Sequence, residues 1–172
     1  VFGNQRYTTA QIGGVVGDAT DFGNNAGAVL AALGLAGNPA ARAAAGVEIR
    51  AHGDLSFSAL GLDLAALFNA GRVQPGLLTV RSTGTLTLDT DIVDGTINDR
   101  FNRRIADTNF SWGYAFTGGA DLDAADFGAV TQGAGDLTLN AHTDVVTGTG
   151  DIRLASGGDL EFGDHLAHGG GA

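Results

Sequence analysis

The stretch YAFTGGADLDAADFGAVTQGAGDLTLNAHTDVVTGTGDIRLASGGDLEF, Tyr114 to Phe162, decides the fold. Apolar residues alternate with small or polar ones in short runs, and each run is closed by Gly, Asp, Asn or Thr. Period-two alternation between turn residues reads as strand, corner, strand. Strand starts fall near Tyr114, Leu122, Val130, Leu137, Val145, Ile152 and Leu160, in near-equal steps. Every third step leads from Tyr114 to Leu137 to Leu160. Three strands repeated at about 23 residues are the arithmetic of a parallel β-helix. Successive coils then lie about 4.8 Å apart and pair through their backbones. Inward side chains form columns in which each buried Leu or Ile is worth about 1.5–3 kcal/mol.

Working outward, five segments align without gaps: VEIRAHGDLSF from Val47, LTVRSTGTLTL from Leu78, YAFTGGADLDA from Tyr114, LTLNAHTDVVT from Leu137 and IRLASGGDLEF from Ile152. Their first, third and ninth positions are apolar and their fifth is small. Two earlier coils follow if insertions are admitted, one from Ala65 to Gly76 and one from Asp94 to Gly113. A third insertion, Gly34 to Gly46, precedes Val47. All three are expected at one corner of the solenoid. Asn38-Pro39 opening an alanine run closed by Gly46 predicts a short helix. Ala65 to Asn69 predicts another helical turn. The expected organisation is an irregular lead-in over 1–46, coils over 47–164, and a flexible tail over 165–172.

Composition agrees with an all-β chain. Its 172 residues suit one domain or one stretch of a repeat array. There are 29 Gly, nine Arg and no Lys, 17 Asp and two Glu. Soluble helices carry Glu and Lys on their wet faces, whereas Asp and Gly favour turns, so a mostly helical protein is excluded. A formal charge of -10 argues against nucleic acid or heparin as partner. The absence of Cys excludes disulfides and thiolate chemistry. No apolar run approaches the ~18 residues of a membrane span; AGAVLAALGLA, Ala26 to Ala36, comes nearest. A start at Val1 without any Met is expected of a processed or excised piece of something longer.

The run SWGYAFTGGADLDAADFGAVTQGAGDLTLNAHTDVVTGTGDIRLASGGDLEF (Ser111 to Phe162), with GVEIRAHGDLSF and PGLLTVRSTGTLTLDTDIVDG upstream, resembles the repetitive region of filamentous-haemagglutinin-like exoproteins. The resemblance covers roughly residues 46 to 162 and rests on the order of the pieces, since GDL alone is unspecific. It implies a right-handed parallel β-helix toward the C-terminal part of a very large two-partner secretion adhesin. It further implies export through an outer-membrane β-barrel transporter and a location on the bacterial surface. The family's N-terminal secretion domain is not in this sequence. The resemblance carries over no catalytic residue. Exposed coil ends would be covered by neighbouring coils in a parent chain, and an isolated fragment is expected to associate end to end.

The second insertion, DGTINDRFNRRIADTNFSWG, concentrates Arg and aromatic residues. Arg100, Phe101, Arg103, Arg104, Phe110 and Trp112 are the candidate contacts for a host glycan or protein, because such side chains bury large area at modest entropic cost. The competing reading has the aromatics folding back over the coil and the Arg side chains pairing with Asp. Asp54, Asp121, Asp144 and Asp159 align at equivalent corners, and Asp89, Asp91 and Asp94 are clustered. Oxygen ligands could hold calcium, but the spacing is not that of an EF-hand, and Asp before a strand is ordinarily a turn residue. His52 and His142 align at one outward corner. His165 and His168 form an HLAH pair with no third metal ligand in view. Asn109-Phe110-Ser111 is a sequon. No cofactor or metal is expected. The rival to an adhesive stalk is a polysaccharide lyase or hydrolase on the same fold; Asp63, Asp89, Asp91 and Asp94 could be proposed, but spacing nominates no carboxylate pair.

Overall fold

The computed structural model describes residues 21–22, 24–39, 41, 43–44, 46–57, 62–63, 76–93, 96–98, 104–106 and 112–163. The expected helical turn at Ala65 to Asn69, the tail with His165 and His168, and most of the lead-in lie outside them. So do Asp94, Arg100, Phe101, Arg103, Phe110 and the sequon. No helix among the described residues is long and apolar enough to cross a membrane.

The chain is mostly strand, arranged in parallel sheets. The strands are β1 (Gly46–Ala51), β2 (Leu55–Phe57), β3 (Leu62–Asp63), β4 (Leu77–Ser82), β5 (Leu86–Leu88), β6 (Ile92–Val93), β7 (Thr96–Asn98), β8 (Arg104–Ala106), β9 (Gly113–Gly118), β10 (Leu137–Leu139), β11 (Val145–Val146), β12 (Ile152–Ser156) and β13 (Leu160–Phe162). The first sheet has the order β1-β4-β9-β12, the second β2-β5-β10-β13 and the third β3-β6-β11. All pairings within these three sheets are parallel, while β7 and β8 form an antiparallel pair. Strands enter the first, second and third sheets in rotation, β7 and β8 aside. The first sheet is re-entered at β4, β9 and β12, and β10 follows β9 in the second.

The registers explain the composition. In the first sheet Val47, Leu78, Tyr114 and Ile152 share one position, and Ile49, Val80, Phe116 and Leu154 share the next inward one. In the second sheet Leu55, Leu86, Leu137 and Leu160 align, as do Phe57, Leu88, Leu139 and Phe162. Leu55, Phe57, Leu78, Val80, Leu86, Leu88, Ile92, Trp112, Tyr114, Phe116, Leu137 and Leu139 form one buried core. Tyr114 and Phe116 stack with centroids 6.0 Å apart. Small residues end the first-sheet strands because the corner leaves no room: a Cβ on Gly118 would strike the backbone of Asp136.

Three sequence expectations are corrected. Tyr114, Leu137 and Leu160 do not share a position. Tyr114 pairs with Ile152 in the first sheet, while Leu137 pairs with Leu160 in the second. The return distance along the chain is also uneven: Leu86 lies between Leu55 and the much more distant Leu137. Leu122 and Val130 start no strand; Val130 makes only an isolated antiparallel bridge to Ala120. Residues 119–136 are therefore a loop between β9 and β10. The gapless alignment failed because the step from first to second sheet (Leu78 to Leu86) equals the step from second to third (Leu137 to Val145). Both also begin from the same alternating apolar signature.

The second correction follows from the first. The segments after β3 and β6 lead into first-sheet strands, as expected, but the 119–136 loop leaves between the first and second sheets. The 119–136 loop, read from sequence as strands, is thus an insertion at a different position from the three expected to share one corner. The third correction concerns the helix. It lies at Ala26–Ala32, here α1, and the described residues between Asn38 and Gly46 are not helical. Its alanine-rich run has high helix propensity. It ends with Gly34 at φ 69°, the Gly34 N–H donating to Ala31 O at 3.0 Å and the Leu35 N–H to Leu30 O at 2.8 Å. That 5→2 and 6→1 pair is a Schellman stop, satisfying carbonyls a helix end would otherwise strand. Gly46, the residue expected to close the Asn38 run, instead begins β1, and alanine runs of that length are marginal alone.

Candidate functional site

The most elaborated surface is the outer face of the first sheet, where the 119–136 loop folds back on β4 and β9. Arg81 points outward from β4 yet is fully buried. Its guanidinium bonds Glu48 Oε1 at 3.1 Å, donates to the carbonyls of Asp121 and Ala124, and lies 6.0 Å from the centroid of the Phe127 ring. A desolvated guanidinium needs such partners, because an unpaired buried charge is costly. Thr117 donates from Oγ1 to Phe127 O at 2.8 Å. Within the loop, Asp121 Oδ1 accepts from the Asp123 N–H at 3.1 Å and Asp126 Oδ1 from the Gly128 N–H at 3.0 Å. These are Asx turns, which hold a short acidic loop rigid. Beside it, Glu48 binds Arg50 at 2.8 Å. The hydrogen bond from Arg50, ahead of the one from Arg81, holds the Glu48 carboxyl below its ordinary value of 4.5 despite partial burial. Reciprocally, Glu48 raises Arg50.

A second feature runs along the corners. Each second-sheet strand but the last is preceded by a residue whose side chain accepts a backbone N–H from the equivalent residue one layer on. Asp54 Oδ1 takes the Thr85 N–H at 2.9 Å, Thr85 Oγ1 the Asp136 N–H at 3.4 Å, and Asp136 Oδ1 the Asp159 N–H at 2.8 Å. Before the third sheet, Asp91 Oδ1 takes the Asp144 N–H at 3.0 Å. The three bonds accepted by carboxylates are charge-assisted and stronger than neutral ones. They also explain two glycines of this column, Gly84 of Gly-Thr-Leu and Gly158 of Gly-Asp-Leu. A Cβ on Gly84 would collide with Asp54 Oδ1, and one on Gly158 with Asp136 Oδ1.

The four aligned aspartates therefore belong to different places. Asp54 and Asp159 share the column before the second sheet, Asp144 stands before the third, and Asp121 is in the loop. His52 and His142, both exposed, sit at different corners: His52 follows β1, whereas His142, at φ 67°, lies between β10 and β11. Asp89 accepts from Ser56 Oγ at 2.8 Å. Among the described residues, no three His, Asp or Glu are grouped to hold a metal ion.

Of the candidate contact residues, Trp112 is 2% exposed and belongs to the core. Its ring is not offered at the surface, in keeping with the competing reading that aromatics fold back. Its carbonyl accepts from Thr147 Oγ1 at 2.7 Å. Arg104 begins β8 and pairs across the hairpin with Asn98. Sequence reading missed the Arg81 clamp. An Arg at an outward strand position is normally solvated, and nothing local to Arg81 signals that a loop far along the chain will cover it.

No protein-family model matches the chain, and no curated protein or solved structure matches it.

Proposed function

We propose that the chain is a length of right-handed parallel β-helix with three strands to each turn. Its role is that of a stiff segment of a large secreted bacterial surface protein, displaying loops for adhesion. One observation carries the reading: strands enter three sheets in rotation, and each pairs in parallel with the strand one cycle earlier. Crossovers between parallel neighbours are right-handed in nearly all proteins. A backbone bonded to its own preceding turn resists bending and proteolysis, because no inner strand can leave without breaking two ladders. The side-chain acceptors at the corners add a further tie per turn. Strong net negative charge keeps such a rod soluble.

In this reading contact belongs to the loops, above all to the Arg-rich segment between β6 and β9. With Trp112 in the core, Arg103 and Arg104 are the residues to test. Glycan and host-protein binding by the 172-residue chain is expected to weaken about tenfold in Arg103→Ala/Arg104→Ala, with unchanged far-UV circular dichroism. Unaltered binding would remove that loop from the contact. Release of sugar product from a polysaccharide would replace the adhesive reading with an enzymatic one.

A further inference from the structure

The 119–136 loop has a neck and a lobe. At the neck, Ala120 and Val130 form an antiparallel bridge, and the Thr131 N–H donates to Gly119 O at 2.8 Å. The Gly133 N–H donates to Gly157 O at 2.7 Å, tying the neck to the end of β12. Beyond it, the lobe rests on β4 through Arg81 and on β9 through Thr117, which is 1% exposed. The neck is thus secured by backbone bonds, whereas the lobe sits on two outward side chains, one of them a buried cation.

The charge of Arg81 is balanced with little to spare. Its Nε has no hydrogen-bond partner, and its bonds to Asp121 and Ala124 go to carbonyls, which carry no net charge. Among the described residues, Glu48 is the one carboxylate paired with it. That carboxylate is shared, because it also binds Arg50, and Arg50 stands beside Arg81 in the register of β1 and β4. Like charges at neighbouring strand positions repel. Without Glu48, Arg81 would be an uncompensated buried cation next to another cation, a state relieved only by returning it to water. Lifting the lobe is the smallest movement that does so, since β4 is bonded to β1 on one side and β9 on the other.

We infer that the 119–136 loop is a latch controlled by β1: its lobe stays shut over β4 and β9 only while Glu48 neutralises Arg81. A strand early in the chain thereby sets the state of a loop that follows β9. Coupling of this kind is reciprocal, so a closed lobe also favours β1 in place. Arg50 and Asp123 attract each other directly as well, but both are exposed and such links are weak in solvent. The inference rests on the contacts of Arg81 and does not depend on an adhesive role.

Thiol labelling of the 172-residue chain tests it, because the chain has no Cys of its own. Thr117→Cys places a thiol under the lobe, and Val80→Cys places one in the core behind β4. The first is reached when the lobe lifts, the second only when the core opens. Adding Glu48→Gln should speed labelling at position 117 by at least about tenfold while leaving position 80 nearly unchanged. Arg81→Met removes the charge but keeps a long apolar chain beneath Phe127, so the lobe should stay shut. In that background Glu48→Gln should change nothing at position 117. Labelling that accelerates equally at both positions would mean general loosening and overturn the latch. So would a lobe that opens in Arg81→Met, one that ignores Glu48→Gln, or one that responds to it equally with and without the Arg81 charge.

Discussion

At the scale of single residues, the recurring Gly-Asp-Leu is the informative unit. In it and its Gly84-Thr85-Leu86 variant, Leu55, Leu86 and Leu137 fill the core column, Asp54 and Asp136 accept the N–H of the next layer, Gly84 and Gly158 leave room for the carboxylate of the layer before, and Gly135 leaves room for the backbone of Gly84. The requirement is steric as much as conformational. Of the glycines in this column, only Gly53 has a positive φ; Gly84 lacks one but still admits no Cβ. Gly84→Ala should therefore cost about 1–3 kcal/mol in urea unfolding, through displacement of Asp54 and its bond to Thr85. A Gly133→Ala comparison controls for backbone strain, since Gly133 has positive φ but open space around it. A loss at Gly84 no greater than a few tenths of a kcal/mol, the usual size of a neutral surface change, would refute the steric account.

At the scale of elements, the 119–136 loop shows how a strand face is covered without another strand. Glu48 on β1 and the loop carbonyls from the other side converge on Arg81 of β4, so three separate parts of the chain meet on one guanidinium. The Glu48 carboxyl is depressed in the folded state, first by Arg50 and then by Arg81. Its stabilising contribution is present above the unfolded carboxyl value of 4.5 and is lost as pH falls through the lower folded value. Between about pH 6 and pH 3, the wild-type chain should thus lose more stability than Glu48→Gln, measured by denaturant midpoint at each pH. Equal pH slopes in the two proteins would show that the pair contributes nothing to folding. The loop and the helix also differ in legibility. The stop of α1 is local, written in Leu33-Gly34-Leu35, whereas the loop's place depends on Arg81, far away in sequence.

At the scale of the whole molecule, the decisive feature is which strand lies beside which. Thr87 and Thr138 are neighbours in register on β5 and β10, although β6 to β9 intervene in the chain. Adjacent strands lie about 4.8 Å apart, within the range a disulfide spans. The chain has no Cys of its own, so engineered pairs report cleanly. Thr87→Cys/Thr138→Cys should oxidise to a single intramolecular disulfide, detected by mass spectrometry. Ala115→Cys/Thr138→Cys, the pair favoured by the regular sequence spacing, should not. The reverse outcome would restore the sequence register and move the 119–136 loop back into the sheets.

The sequence by itself determined that the chain is built of short strands, where most of them begin, and which side chains face inward. These follow from alternation and turn chemistry within a dozen residues, and Leu55, Leu86, Leu137 and Leu160 all carry that signal. Only the tertiary structure decided that Tyr114 lies beside Ile152 rather than Leu137, and that Trp112 and Arg81 are buried. Period two tells in from out but not one sheet from another, since the sheets share the same alternating apolar pattern. Neighbour choice is a long-range matter, set by how loops of unequal length return the backbone to an open edge.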